Sequence, residues 1–277
     1  MMNVRPAAVA GAFYPDQPEM LRKLLAECFI HAKAAALRPK ALIVPHAGYI
    51  YSGPIAASAY ALLQPLRELI RRVVLLGPVH RVWVSGLALP GVNAFETPLG
   101  LVPVDQAGID AIADLPQVSL SVAAHAQEHS LEVHLPFLQS VLSNFSLIPL
   151  AVGGASPEEV AQVLDRLWGG EETLIVISSD LSHFLPYADA KQVDNATADA
   201  ILKLNTHLVG EQACGAHPIN GLLLAAKRHG LVPHLLDLRN SGDTAGDRNR
   251  VVGYGAFALV EPDHEHQHQH QHQHQHL

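Results

Sequence analysis

At 277 residues and 49% hydrophobic content, the chain can bury a substantial α/β core, and its apolar runs fall well short of the roughly 20 residues a membrane-spanning helix needs. A formal charge of −8, with 18 Lys and Arg against 26 Asp and Glu and few aromatic residues, argues against a nucleic-acid partner. Two cysteines, Cys28 and Cys214, are too few for a disulfide framework, and with no secretory-type start a cytoplasmic location is expected. Histidine is the outlier at 18, but seven of these fall in the terminal "HEHQHQHQHQHQHL". Residues 263–277 read as a purification tag or a disordered tail and are set aside.

Along the body, "PEMLRKLLAECFIHAKAAAL" (18–37) places Met20, Leu24 and Cys28 on one helical face, so Cys28 reads as core. A strand from Ala41 to Val44 stops at Pro45 and His46, and a helix begins near Ser52 and closes before Pro65. A second strand, Val73 to Leu76, ends in "GPVHR". The Gly, Pro and Asn punctuation of "SGLALPGVNAFETPLGLVPVD" predicts a hairpin or meander inserted in the framework. Helical "DQAGIDAIADL" is followed by "EHSLEVHLPFLQSVL", read as helical despite Pro136, with Glu128, His129 and Glu132 off its leucine face. A third strand, "SLIPLAVG", precedes a helix capped by Ser156, Pro157 and Glu159. The fourth strand, "ETLIVISSDLSHF", is continuous from Leu174 to Ile177. Helices are expected over 192–209 and "AHPINGLLLAAKRHG", and closing strands in "VPHLLDLRNSG" and "RVVGYGAFALV". Apolar strands alternating with helices predict a three-layer α/β/α fold with a mostly parallel mixed sheet.

In such folds ligands sit outside the carboxyl ends of the strands. Three strong strands end alike: "LIVPH" delivers His46, "VVLLGPVH" delivers His80, and "LIVISSDLSH" delivers Asp180 and His183. A single histidine after a strand ordinarily caps a backbone carbonyl, but the recurrence argues for a shared site. Two imidazoles make a metal nucleus suited to Fe, Cu, Zn or Ni, and a third ligand is then needed. "EHSLEVH" adds Glu128, His129, Glu132 and His134, yet its histidines are five apart and fail the HExxH spacing. These side chains read either as partners that hold a ligand imidazole or as a polar helix face. Cys214 in "EQACGAHPING", near His217, reads equally as a thiolate favoured by a helix start or as a buried small residue.

"RPAAVAGAFYP", "PHAGYIYSGPIAASAY", "LLGPVHR", "FETPLG", "EHSLEVHLPFLQ", "SSDLSHF", "CGAHPI" and "NSGDTAGDRNRVVGYGAFAL" occur in the order found in the Memo family. Its bacterial and archaeal members are called AmmeMemoRadiSam system protein B. The resemblance runs from residue 5 to about residue 260, so residues 1–262 read as one Memo-like α/β domain. It implies a fold similar to the class III extradiol (LigB-type) dioxygenases, non-haem iron enzymes with two histidines and a glutamate as ligands. In Memo-like proteins two histidines and a cysteine stand there, which map onto His46, His80 and Cys214. His183 matches the position similar to the dioxygenases' acid/base histidine, with Asp180 as its neighbour.

Exchanging a hard carboxylate for a softer thiolate means that dioxygenase activity does not travel with the fold. The reading that follows is a redox protein holding one metal ion per chain, Fe(II) first and Cu or Zn as alternatives. If it is an enzyme, it is a dioxygenase-like oxidoreductase acting on an unknown small molecule. Two further readings stand beside it. One is a hydrolase with Cys214 as nucleophile. The other is a non-catalytic partner of the AMMECR-type domain and radical-SAM proteins for which the bacterial family is named.

Overall fold

The computed structural model describes residues 2–265, so the expected tail lies, from residue 266 onward, outside the described residues. The amino-terminal half contains β1 (Val4–Arg5), α1 (Pro18–Ile30), β2 (Pro39–Val44), α2 (Tyr49–Tyr60), β3 (Arg72–Pro78), β4 (Leu87–Leu89), β5 (Ala94–Thr97) and β6 (Gly100–Pro103). Next come α3 (Gln106–Ile112), β7 (Val118–Leu120), α4 (Val122–Ala126), α5 (His129–Glu132), α6 (Leu135–Val141) and β8 (Ser146–Val152). The carboxyl-terminal part adds α7 (Pro157–Arg166), β9 (Thr173–Ser178), β10 (His183–Leu185), α8 (Tyr187–Leu202), α9 (Ala216–His229), β11 (Val232–Asn240) and β12 (Val251–Val260).

The main sheet runs β10-β12-β2-β9-β3-β8-β4-β7, with β11 also paired to β12. Its centre, β2-β9-β3-β8, is parallel, and the pairings that flank it, β12 with β2 and β8 with β4, are antiparallel. Because side chains alternate along a strand, Leu174 and Val176 of β9 face a core shared with α1, α2 and α6, while Ile175 and Ile177 face one shared with α7 and α9. Each such fully buried aliphatic side chain is worth about 1.5–3 kcal/mol, which explains why the central strands are rich in Val, Ile and Leu. This is the three-layer α/β/α arrangement that the sequence predicts. Cys28 lies in the first core, as expected. No helix among the described residues is long and apolar enough to cross a membrane.

Four elements differ from expectation. The first helix stops at Ile30, and the Lys33 N–H beyond it donates to Ser58 Oγ at 2.9 Å, drawing the chain onto α2. The predicted hairpin exists as β5 and β6, but it pairs with β1 in a small separate sheet, and Leu87–Leu89 joins the main sheet instead. α8 begins at Tyr187, immediately after Pro186, and ends at Leu202, just before Leu204 takes a left-handed φ of 55°. "EHSLEVHLPFLQSVL" is two short helices, because Pro136 has no N–H to offer and its ring crowds the carbonyl of Glu132.

Candidate metal centre

The sheet order puts β9 between β2 and β3, so the carboxyl ends that carry His46, Asp180 and His80 are side by side. His46 and His80 meet edge to face with ring centroids 5.2 Å apart. Cys214, just before α9, brings its Sγ to 3.3 Å from His46 Nε2. One ligand atom each from His46, His80 and Cys214 lies within 4.8 Å of the other two, a grouping that could hold a metal ion. The approach of α9 depends on Gly215, where a Cβ would sit 2.5 Å from the Ser178 carbonyl oxygen. The Asp180 N–H donates to Cys214 Sγ at 3.4 Å. Burial, and then the Asp180 carboxylate, push the metal-free thiol up to about 12.

Both imidazoles have their Nδ1 engaged by another side chain. His46 Nδ1 lies 2.7 Å from Ser178 Oγ, which also bonds His134 Nε2 at 2.8 Å and donates to the Ser130 carbonyl at 2.7 Å. Tyr60 OH closes this chain on His134 Nδ1 at 2.8 Å. Ser178 faces these groups because it continues the even-numbered side of β9, the side of α2 and α6. Burial, followed by the proximity of His80 and His129, holds His46 well below the usual histidine range.

His80 is held differently. Its Nδ1 is 2.8 Å from Glu128 Oε2, its backbone N–H donates to Glu128 Oε1, and the Ser130 N–H donates to Oε2 at 3.0 Å. Burial raises the Glu128 pKa, but the hydrogen bond and charge of His80, with the two backbone donors, outweigh it and bring the carboxyl to about 2. His129 stacks between His80 and Phe13, with centroids 4.5 Å from each. With His80 and Glu128 it forms a second grouping of potential ligand atoms.

Asp180 is buried and accepts the His46 N–H at 2.8 Å, with its other oxygen 3.7 Å from His46 Nε2. Burial lifts its carboxyl above the ordinary range, against the pull of that hydrogen bond. His183 lies exposed on β10, and its ring joins Asp180 and Cys214 in a third grouping within 4.8 Å. The next residue, Phe184, has a left-handed φ of 65°, a strain of order 1–3 kcal/mol for a non-glycine residue.

Two residues singled out from the sequence lie elsewhere. Glu132 turns away from the imidazoles and accepts from Arg5 Nη1 at 2.5 Å, Tyr14 OH at 2.7 Å and the N–H groups of Ala8 and Val9. The break at Pro136 leaves it in the last turn of α5, facing the amino-terminal segment. His217 is exposed on α9 and belongs to none of the three groupings. Sequence reasoning passed over Ser130, Ser178 and Tyr60. The signal for Ser178 was present, since the alternation of β9 runs on through it.

The sequence pattern of the Memo-like protein family matches residues 5–258. A MEMO1 family protein of Aquifex aeolicus is 38% identical over 266 residues, covering 91% of this chain and 98% of that protein. One from Sulfolobus acidocaldarius is 34% identical, covering 91% and 97%, and one from Methanosarcina barkeri is 35% identical, covering 92% and 100%.

Proposed function

The chain belongs to the Memo family, and we propose that its site binds one iron or copper ion through His46 Nε2, His80 Nε2 and Cys214 Sγ and serves a redox role. The observation that carries this reading is that one ligand atom from each of these three residues lies within 4.8 Å of the other two, while both Nδ1 atoms are hydrogen-bonded to other side chains. Imidazole nitrogen and thiolate sulfur suit Fe, Cu and Zn, and three protein ligands leave coordination positions open. A bound ion would supply Lewis acidity and, as iron or copper, one-electron chemistry.

The remaining residues have their own tasks in this proposal. Asp180 holds the His46 backbone, and its buried carboxyl stands beside the ligand atoms. His183, exposed at the mouth, carries protons between solvent and a bound small molecule. Glu128 and Ser178 fix the two ring orientations.

Metal analysis after anaerobic reconstitution tests the assignment. The wild-type chain is expected to hold about one more iron or copper than a His46→Ala, Cys214→Ser double variant, a difference to which the histidine-rich tail contributes nothing. Equal metal content in the two proteins rejects it. Rapid alkylation of Cys214 by iodoacetamide, equal with and without added metal, would point to a cysteine nucleophile instead.

A further inference from the structure

We infer that Ser130 sets the proton positions of both ligand imidazoles, through the Ser178 hydroxyl on one side and the Glu128 carboxylate on the other. The inference rests on the metal-site reading for its purpose, and on hydrogen-bond donors and acceptors for its argument.

A serine hydroxyl has one hydrogen to give and two lone pairs to receive with. Ser178 Oγ has three partners, the Ser130 carbonyl at 2.7 Å, His46 Nδ1 at 2.7 Å and His134 Nε2 at 2.8 Å. The carbonyl can only accept, so the hydroxyl hydrogen points there. Both imidazoles must then donate to Ser178. His46 carries its hydrogen on Nδ1 and turns a bare Nε2 lone pair toward Cys214. His134 carries its own on Nε2, so its Nδ1 is free to accept from Tyr60 OH at 2.8 Å. Every donor in this buried chain finds an acceptor under this arrangement. If His46 carried its hydrogen on Nε2, Nδ1 and Ser178 Oγ would face each other across 2.7 Å and compete with the carbonyl for one hydrogen.

On the other side, the Ser130 N–H donates to Glu128 Oε2. Glu128 Oε1 already accepts the His80 backbone N–H and Oε2 the Ser130 N–H, so His80 Nδ1, 2.8 Å from Oε2, is the donor, and in the neutral ring His80 Nε2 is bare. Ser130 is itself anchored, since its Oγ donates at 2.8 Å to the Pro78 carbonyl, at the end of the strand that delivers His80. It fits there because Gly77 lacks a side chain, where a Cβ would lie 2.7 Å from Ser130 Oγ. The three polar groups of one buried serine thus reach His46, His80 and the β3 terminus.

The test has two arms, both on the full chain. Long-range ¹H–¹⁵N correlation spectra of metal-free protein, assigned with single histidine variants, should show His46 and His80 protonated on Nδ1 and His134 on Nε2. A wild-type His46 protonated on Nε2 overturns the inference, whatever the metal chemistry proves to be. The second arm titrates cobalt(II) and reads the thiolate-to-cobalt absorption band, which the imidazoles of the tail cannot produce. Ser178→Ala should weaken cobalt binding by roughly ten- to a hundredfold, and Ser178→Thr, which keeps the hydroxyl, should restore most of it. Wild-type affinity in Ser178→Ala overturns the inference. If the wild-type chain gives no band at all, the metal-site reading fails, and the tautomer spectra still decide the positioning argument.

Discussion

Glu128 and Glu132 stand four residues apart in one short stretch, are both buried, and serve different neighbours. Glu128 takes hydrogen bonds from the His80 backbone, the His80 ring and the Ser130 N–H. Glu132 takes them from Arg5, Tyr14 and the Ala8 and Val9 N–H groups, which tie down the segment that carries Phe13 against His129. A continuous helix would have stacked the two carboxylates on one face. Glu128 instead caps the start of α5 with its backbone still extended, while Glu132 is the last residue of that helix, so one carboxylate goes to the candidate site and the other to the fold. A buried carboxylate near a metal site is therefore identified by the donors it satisfies, and its position in a motif is not enough.

The largest way to break the comparison is Glu132→Gln. It strands the buried Arg5 guanidinium without its counter-charge and is expected to cost about 3–5 kcal/mol of stability. Denaturant unfolding measures this, and the cobalt affinity of the folded protein should stay at the wild-type level. Part of the loss should return when Arg5→Met is added to Glu132→Gln, because the stranded charge is then removed while the amide oxygen can still accept from a neighbouring donor. Glu128→Gln should behave in reverse. One of its two terminal atoms becomes a donor, which either faces an N–H group or forces the His80 hydrogen onto Nε2. The expected result is roughly a ten- to hundredfold loss of cobalt affinity with a smaller change in unfolding midpoint than Glu132→Gln.

Gly77→Ala sharpens the comparison from the side of β3. The added methyl meets Ser130 Oγ at 2.7 Å, so a stability loss of about 1–2 kcal/mol is expected, with a measurable drop in cobalt affinity as Ser130 shifts. Tyr60→Phe is the mildest change. It leaves His134 Nδ1 without a donor at a cost of about 1 kcal/mol, visible as a small shift in melting temperature. His46 should keep its Nδ1 hydrogen in that variant, because Ser178 and Ser130 are untouched.

Much of the site was legible because its residues follow the strongest signals in the chain. His46, His80 and Asp180 each stand just past the end of a buried apolar strand, with His183 a little further on, and a strand buried on both faces leaves little doubt about where it ends. Cys214 was ambiguous from its own surroundings, and family resemblance singled it out. The roles of Glu128 and Glu132 could not be separated, since both precede leucines at helical spacing and only the extended backbone of Glu128, at the N-cap of α5, sets it apart from Glu132 inside that helix. His217 was drawn in by its nearness to Cys214 in sequence, but α9 carries it out to solvent.

The amino-acid sequence by itself determined the layers of the fold and the identity of the strand-end histidines, because burial of continuous Val, Ile and Leu segments is a local property of composition. Only the tertiary structure decided that β9 inserts between β2 and β3, that Gly215 lets α9 close on Ser178, and that Ser130 touches both imidazole supports. Those outcomes depend on which distant segments share a sheet edge. A hydrogen bond that spans 48 residues, such as the one from Ser178 to Ser130, leaves no periodic trace in either segment.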